Sequence, residues 1–256
     1  MFSIYSSAFN IIKNDFEYGL FIDKFCEFAE EVVIAVNKSE DDTLDALQGL
    51  QVKNNNLKII STEFSYKDPL LDGKIKNAAL QSTSNPIKIG LDLDEYIPIN
   101  QKKSWISVSK LLVSNKTTGC VMIPSLNLYK DEDHYSTIGR KWYMHKGGYQ
   151  RGAVNFARKE NGTVDTSKSD TCELIDIHGN LIPSIAFDNS VEALRSGHVP
   201  FVVHAGYVNL EKRIKRNLNF WENHWKVESG GEEPKHKVHK NISEFNESYQ
   251  KHLLEI

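Results

Sequence analysis

The stretch that decides the fold is Ile87-Lys88-Ile89-Gly90-Leu91-Asp92-Leu93-Asp94-Glu95-Tyr96-Ile97-Pro98. Ile87, Ile89, Leu91 and Leu93 alternate with other residues, which is the period of a strand. Three carboxylates, Asp92, Asp94 and Glu95, stand at its end. Residues two apart on a strand share a face, so Asp92 and Asp94 are expected to point the same way. Neighbouring carboxylates repel unless a positive charge sits between them. Mg²⁺ and Mn²⁺ take oxygen ligands and commonly complete their shell with substrate phosphates. The stretch reads as a divalent-cation site at a strand end, suited to a diphosphate. Taken alone, an Asp-x-Asp also suits a polar strand end facing water.

The elements before it favour a site. Met1–Phe9 is an apolar start ending near Ser6 and Ser7, a first strand. Leu20–Glu31 places Leu20, Phe21, Phe25, Phe28 and Ala29 at helical spacing. Glu31–Asn37 is a continuous apolar run, the pattern of a strand covered on both faces. Thr43–Leu50 reads as a helix, Leu57–Ser61 as a strand and Asp72–Gln81 as a helix. Alternating strands and helices predict a parallel α/β sheet. Ligands bind such sheets at the carboxyl ends of the strands, where Asp92–Glu95, Ser6, Ser7 and Asn37–Glu40 fall.

After Pro98 the pattern changes. Val108–Ser114, Thr118–Pro124, Thr171–Ile177, Leu181–Phe187 and Phe201–His204 read as strands, with His178-Gly179-Asn180 as a turn. Leu210–Trp225 is a basic amphipathic helix whose Lys212, Arg213, Lys215 and Arg216 read as a solvated face. Residues 228–239 lack periodicity, and 242–254 suit a terminal helix. The expected organisation is one catalytic domain over 1–227, with halves 1–98 and 99–227, then a linker and helical tail over 228–256.

Composition sets outer bounds. The 256 residues are 40% hydrophobic and 25% charged with net charge −3, ordinary for a globular chain and without a global basic field for nucleic acid. No apolar run is long enough to span a membrane, and no basic-then-apolar leader opens the sequence. Cys26, Cys120 and Cys172 are odd in number and lack metal-ligand spacing, which suits a reducing, cytoplasmic setting.

Two segments carry a resemblance to a known family. Gly73-Lys74-Ile75-Lys76-Asn77-Ala78-Ala79 and Leu91-Asp92-Leu93-Asp94-Glu95 are similar to motifs of GT-A fold glycosyltransferases, close to the family-2-like group. The resemblance spans roughly residues 1–225 as an order of elements. It implies a Rossmann-like, mostly parallel central sheet flanked by helices, with a smaller mixed or antiparallel acceptor half. It implies transfer of a sugar from a nucleotide sugar, UDP-linked by preference, to a glycan or other hydroxyl acceptor, with inversion. In that family the basic-x-basic-Asn side chains reach the nucleotide, which implicates Lys74 and Asn77. Asp94 would bind Mn²⁺ or Mg²⁺ directly, Asp92 would touch ribose or metal-bound water, and Glu95 would support or co-ligate. A third ligand near the C-terminal end is implied, and His204, closing an apolar strand, is its candidate. Many members place an Asp near the end of the second strand for the base; here Asn37 stands there.

The remaining chemistry is read from residue types. An inverting transfer needs a carboxylate to take the acceptor's proton. Asp170, before an apolar strand, is the first candidate, and Asp133, in Lys130-Asp131-Glu132-Asp133, the rival. Sugars present apolar C–H faces and hydroxyls, so Trp142, Tyr143, Gln150 and Arg151, around Gly147-Gly148, are candidate acceptor contacts. They equally suit a loop packed on the core. Two other readings stay open: a nucleotidyltransferase, and a non-catalytic carbohydrate-binding or assembly protein on a transferase scaffold. No nucleic-acid partner is expected.

Overall fold

The computed structural model describes residues 2–66, 68, 71–129, 134–150, 174–220 and 254–255. The first half alternates as expected: β1 (Phe2–Ala8), α1 (Tyr18–Phe28), β2 (Glu31–Asn37), α2 (Thr43–Lys53), β3 (Leu57–Thr62), α3 (Leu71–Gln81) and β4 (Ile87–Gly90). β1 pairs in parallel with both β2 and β4, and β2 with β3. Burial on both faces explains the apolar run of β2. Val32, Ile34 and Val36 pack with Phe21, Ile22, Phe25 and Phe28 of α1. Val33 and Ala35 turn the other way, toward Leu71, Ile75, Ala79 and Leu80 of α3. Each Val, Leu, Ile or Phe among them contributes roughly 1.5–3 kcal/mol by leaving water.

The Asp-x-Asp segment itself corrects the expectation. β4 ends at Gly90, and Leu91–Asp94 is a turn leading into β5 (Glu95–Tyr96). The alternation continued because Leu91 and Leu93 are buried in the same core as Ile87 and Ile89. Buried Glu95 fastens the turn, its carboxylate accepting the Asp92 N–H at 3.0 Å and the Tyr143 hydroxyl at 2.7 Å.

A second correction follows. Val108–Ser114, expected as a strand, lies inside α4 (Lys102–Ser114). Trp105, Val108 and Leu112 recur at helical spacing and are buried, with Trp105 edge-on to Phe28 at 6.0 Å. Then follow β6 (Cys120–Tyr129), β7 (His134–His145), β8 (Tyr149–Gln150), β9 (Leu174–Ile175), β10 (Ser184–Ala186), α5 (Val191–Arg195), β11 (Val202–Tyr207) and α6 (Leu210–Phe220). The main sheet runs β3-β2-β1-β4-β7-β6-β11-β5. β7 is antiparallel to β4 and β6, β11 parallel to β6, and β5 antiparallel to β11. This is the mixed α/β class expected, a parallel half flanked by helices and a mixed half continuing the same sheet. The turn at Asp176–Asn180 is present, its Asp176 carboxylate accepting the His178 and Asn180 N–H groups. Leu254–Glu255 form a two-residue strand, β12, on β7 where a helix was expected. Among the described residues no helix is long and apolar enough to cross a membrane.

Candidate functional site

The pairing of β5 with β11 brings the two halves together. Glu95 lies opposite His204 in the register, and the Ala205 N–H donates to the Asp94 carbonyl at 2.8 Å. The buried Asp94 carboxylate and His204 imidazole therefore meet, with Oδ1 3.4 Å from Nε2. His204 Nδ1 lies 2.6 Å from Asn127 Oδ1 on β6. With the amide oxygen accepting, Nδ1 donates to it, and Nε2 is the ring nitrogen that faces the carboxylate. Gly206 makes this approach possible: a Cβ there would fall 2.7 Å from both Asp94 Oδ2 and His204 Nε2.

Two cations from α6 complete the cluster. The Arg213 guanidinium lies 3.3 Å from Asp94 Oδ2. Arg216 sits over the Phe16 ring at 4.3 Å, reaches the Gly206 carbonyl at 3.5 Å and adds its charge near Asp94. Burial alone would raise the Asp94 pKa; the His204 imidazole and the Arg213 and Arg216 guanidiniums outweigh it and hold the carboxyl well below the usual range. The expected solvated face is thus corrected in part. Lys215 is exposed, whereas Lys212 bridges to Asp15 and Glu17 at 3.0 and 3.7 Å, and Arg213 and Arg216 turn inward.

Asp92 belongs to a different group. Its carboxylate lies 3.1 Å from the Lys76 ammonium, which also holds Asp72 at 3.0 Å. Among the described residues no three His, Cys, Asp or Glu side chains form a metal-ligating group, so the expected trio of Asp92, Asp94 and His204 is not assembled. Asp94 and His204 remain as a carboxylate–imidazole pair. That donor set fits Mg²⁺ or Mn²⁺ when diphosphate oxygens and water fill the other positions.

The other candidates fall differently. Ser6 is buried on the core face of β1, its hydroxyl without a hydrogen-bond partner among the described residues. Its neighbour Ser7 instead donates to Asp72 at 3.3 Å. Asn37 is consumed by the fold: its amide accepts the Phe64 N–H at 2.8 Å and donates to the Phe64 carbonyl at 3.1 Å. Lys74 is held by Asp68 at 2.5 Å, and Asn77 accepts from Gln81 at 3.4 Å; Lys76, in the same motif, is the lysine that reaches the acidic turn. Tyr143 is buried with its hydroxyl on Glu95, so its ring belongs to the core rather than to an acceptor surface. Trp142 and Gln150 lie on β7 and β8, with their side chains outside the description. Arg151, Asp133 and Asp170 lie outside the described residues. Sequence reading passed over Asn127, Arg213 and Arg216. A charge run alternating with Leu210, Ile214 and Leu218 was the only available signal for the arginines, and Asn127 had none.

No protein-family model matches the chain, and no curated protein matches it in sequence. Solved structures that resemble it include S. aureus TarS residues 1–349 (TM-score 0.48, 13% identity, covering 87% of this chain and 66% of that one). The same protein in complex with UDP-GlcNAc gives TM-score 0.41 and 14% identity, with coverage of 87% and 66%. Glucosyl-3-phosphoglycerate synthase from Mycobacterium tuberculosis, in complex with Mn²⁺, UDP and phosphoglyceric acid, gives 0.32 and 16%, with coverage of 52% and 44%. This chain thus spans about two thirds or less of the matched chains. With every TM-score below 0.5, these likenesses decide neither fold nor activity, which rest on the topology and the site.

Proposed function

We propose that the chain transfers a sugar from a nucleoside-diphosphate sugar, with uridine the favoured base, to a hydroxyl acceptor, with inversion at the sugar carbon. The observation that carries this reading is the meeting of Asp94 and His204 at 3.4 Å beside two arginines, built from opposite halves of the sheet. Asp94 and His204 would hold Mg²⁺ or Mn²⁺, which when bound neutralises charge on a departing diphosphate. Arg213 and Arg216 place positive charge beside Asp94, which suits an anionic leaving group. Lys76 orients Asp92 at the edge of the same turn, and Asp92 would serve a ribose or a metal-bound water. In the transfer, the bond from the sugar carbon to the diphosphate oxygen breaks and a bond to the acceptor oxygen forms. The acceptor's proton passes to a carboxylate, for which Asp170 is the first candidate and Asp133 the second.

Thermal unfolding with Mn²⁺ and a panel of nucleoside diphosphates tests the reading. Stabilisation that requires cation and nucleotide together, strongest with UDP, supports it. No shift with any combination removes it and leaves the non-catalytic scaffold.

A further inference from the structure

α4 and its flanks carry basic charge with no acidic residue to balance it. From Ile97 to Gly119 there are four lysines, Lys102, Lys103, Lys110 and Lys116, and no Asp or Glu, in a protein whose net charge is −3. The inner face of α4 is spent on the core through Trp105, Val108 and Leu112. Its outer face is not uniformly polar. Ile99, Lys103, Ile106, Lys110 and Val113 follow one another at steps of three and four, forming a stripe in which aliphatic and basic side chains alternate. Ile99 is 49% exposed, Ile106 38%, Leu111 48% and Val113 58%, and Lys103, Lys110 and Lys116 are exposed beside them. At the near end Lys102 lies 5.6 Å over the Phe28 ring and 3.5 Å from the Glu27 carbonyl, so acidic α1 borders the face there. The stripe from Lys103 to Lys116 is the open part.

We infer that this face of α4 is a docking surface for an anionic lipid bilayer. Long lysine stems let the ammonium groups stay at phosphate level while neighbouring aliphatic side chains enter the acyl boundary. The surface needs both features. An anionic polymer would be met by the lysines alone and would leave Ile106, Leu111 and Val113 in water. A second copy of the same face would set lysine against lysine. A bilayer bearing anionic headgroups matches the charge and also takes up the aliphatic residues.

The test is co-sedimentation of the full chain with vesicles of phosphatidylcholine alone, or of equal parts phosphatidylcholine and phosphatidylglycerol, at low and physiological salt. Binding is expected to the anionic vesicles only and to weaken with salt. A lysine near such a surface is worth roughly fivefold in affinity. Lys103→Glu with Lys110→Glu is therefore expected to weaken binding by roughly 25-fold or more. Ile106→Ser with Val113→Ser is expected to weaken vesicle binding while leaving binding to dextran sulfate unchanged. All four positions are exposed, and unchanged thermal unfolding verifies that the variants fold. Absence of wild-type binding to anionic vesicles at low salt overturns the inference. So does equal vesicle binding by the Ile106/Val113 variant, which assigns the face to a polyanion, or a dimer dissolved by these variants in sedimentation velocity, which assigns it to a second copy.

Discussion

At the scale of single residues, close approach governs the site. Gly206 allows Asp94 Oδ2 and His204 Nε2 to lie where a Cβ would stand only 2.7 Å from each. Gly206→Ala must therefore push them apart. The expected result is at least a tenfold loss of Mn²⁺–UDP affinity by calorimetry, with stability lowered by about 1–3 kcal/mol, the usual scale for overpacking. Unchanged affinity would show that the pair is not the cation site. His145 offers a separate test, remote from that pair. Its imidazole is fully buried, Nε2 3.0 Å from the Tyr5 hydroxyl and Nδ1 3.1 Å from the Gly147 carbonyl. Burial lowers its pKa from the ordinary 6.5 to about 3. The native state thus keeps His145 neutral while the unfolded chain takes up a proton below pH 6.5, so stability falls as pH drops through that window. The slope approaches about 1.4 kcal/mol per pH unit. Urea unfolding at pH 6.5 and 5 reads this before most carboxylates titrate, and His145→Gln is expected to flatten the difference. A wild-type stability that rises toward pH 5 contradicts the assignment.

At the scale of elements, legibility in the sequence divides along physical lines. Strands buried on both faces, such as β2, and helices with a clear apolar stripe, such as α1, declare themselves because burial acts on every residue of the segment. His204 was legible because an apolar run leads up to it, although β11 continues past it to Tyr207. The turn at Leu91–Asp94 was not, because buried leucines prolong the alternation of β4 past its last ladder pair. α4 was read as a strand from Val108-Ser109-Lys110-Leu111-Leu112-Val113, a run too short to separate the two periods without Trp105. The inward turn of Arg213 and Arg216 depends on where α6 docks, which no local pattern records. Arg213→Gln with Arg216→Gln is expected to lower UDP affinity by roughly a hundredfold, since hydrogen bonds to charged groups contribute about 1.5–3 kcal/mol each. Unchanged UDP affinity would return the helix to a structural role. Asn37 makes an element-scale prediction of the opposite kind. Its amide stands in for strand pairing with Phe64 beyond the end of β2. Asn37→Ala is expected to cost about 1–3 kcal/mol in urea unfolding by leaving those backbone groups unpaired. A loss of nucleotide affinity at unchanged stability would instead make Asn37 a ligand contact.

At the scale of the whole molecule, the sheet is the device that joins two distant pieces of sequence. The parallel half delivers the Asp92–Glu95 turn, the mixed half delivers β11 and α6, and the β5–β11 pairing sets their distance. With Asp94 and His204 as the two protein donors among the described residues, cation and diphosphate are expected to need each other. The decisive measurement is calorimetric titration of Mn²⁺ into the full chain, with and without UDP, for wild type, Asp94→Asn and His204→Ala. Weak binding of Mn²⁺ alone, at least tenfold tighter binding with UDP present, and loss of that gain in both variants is the predicted result. Mn²⁺–UDP affinity that survives both substitutions contradicts it.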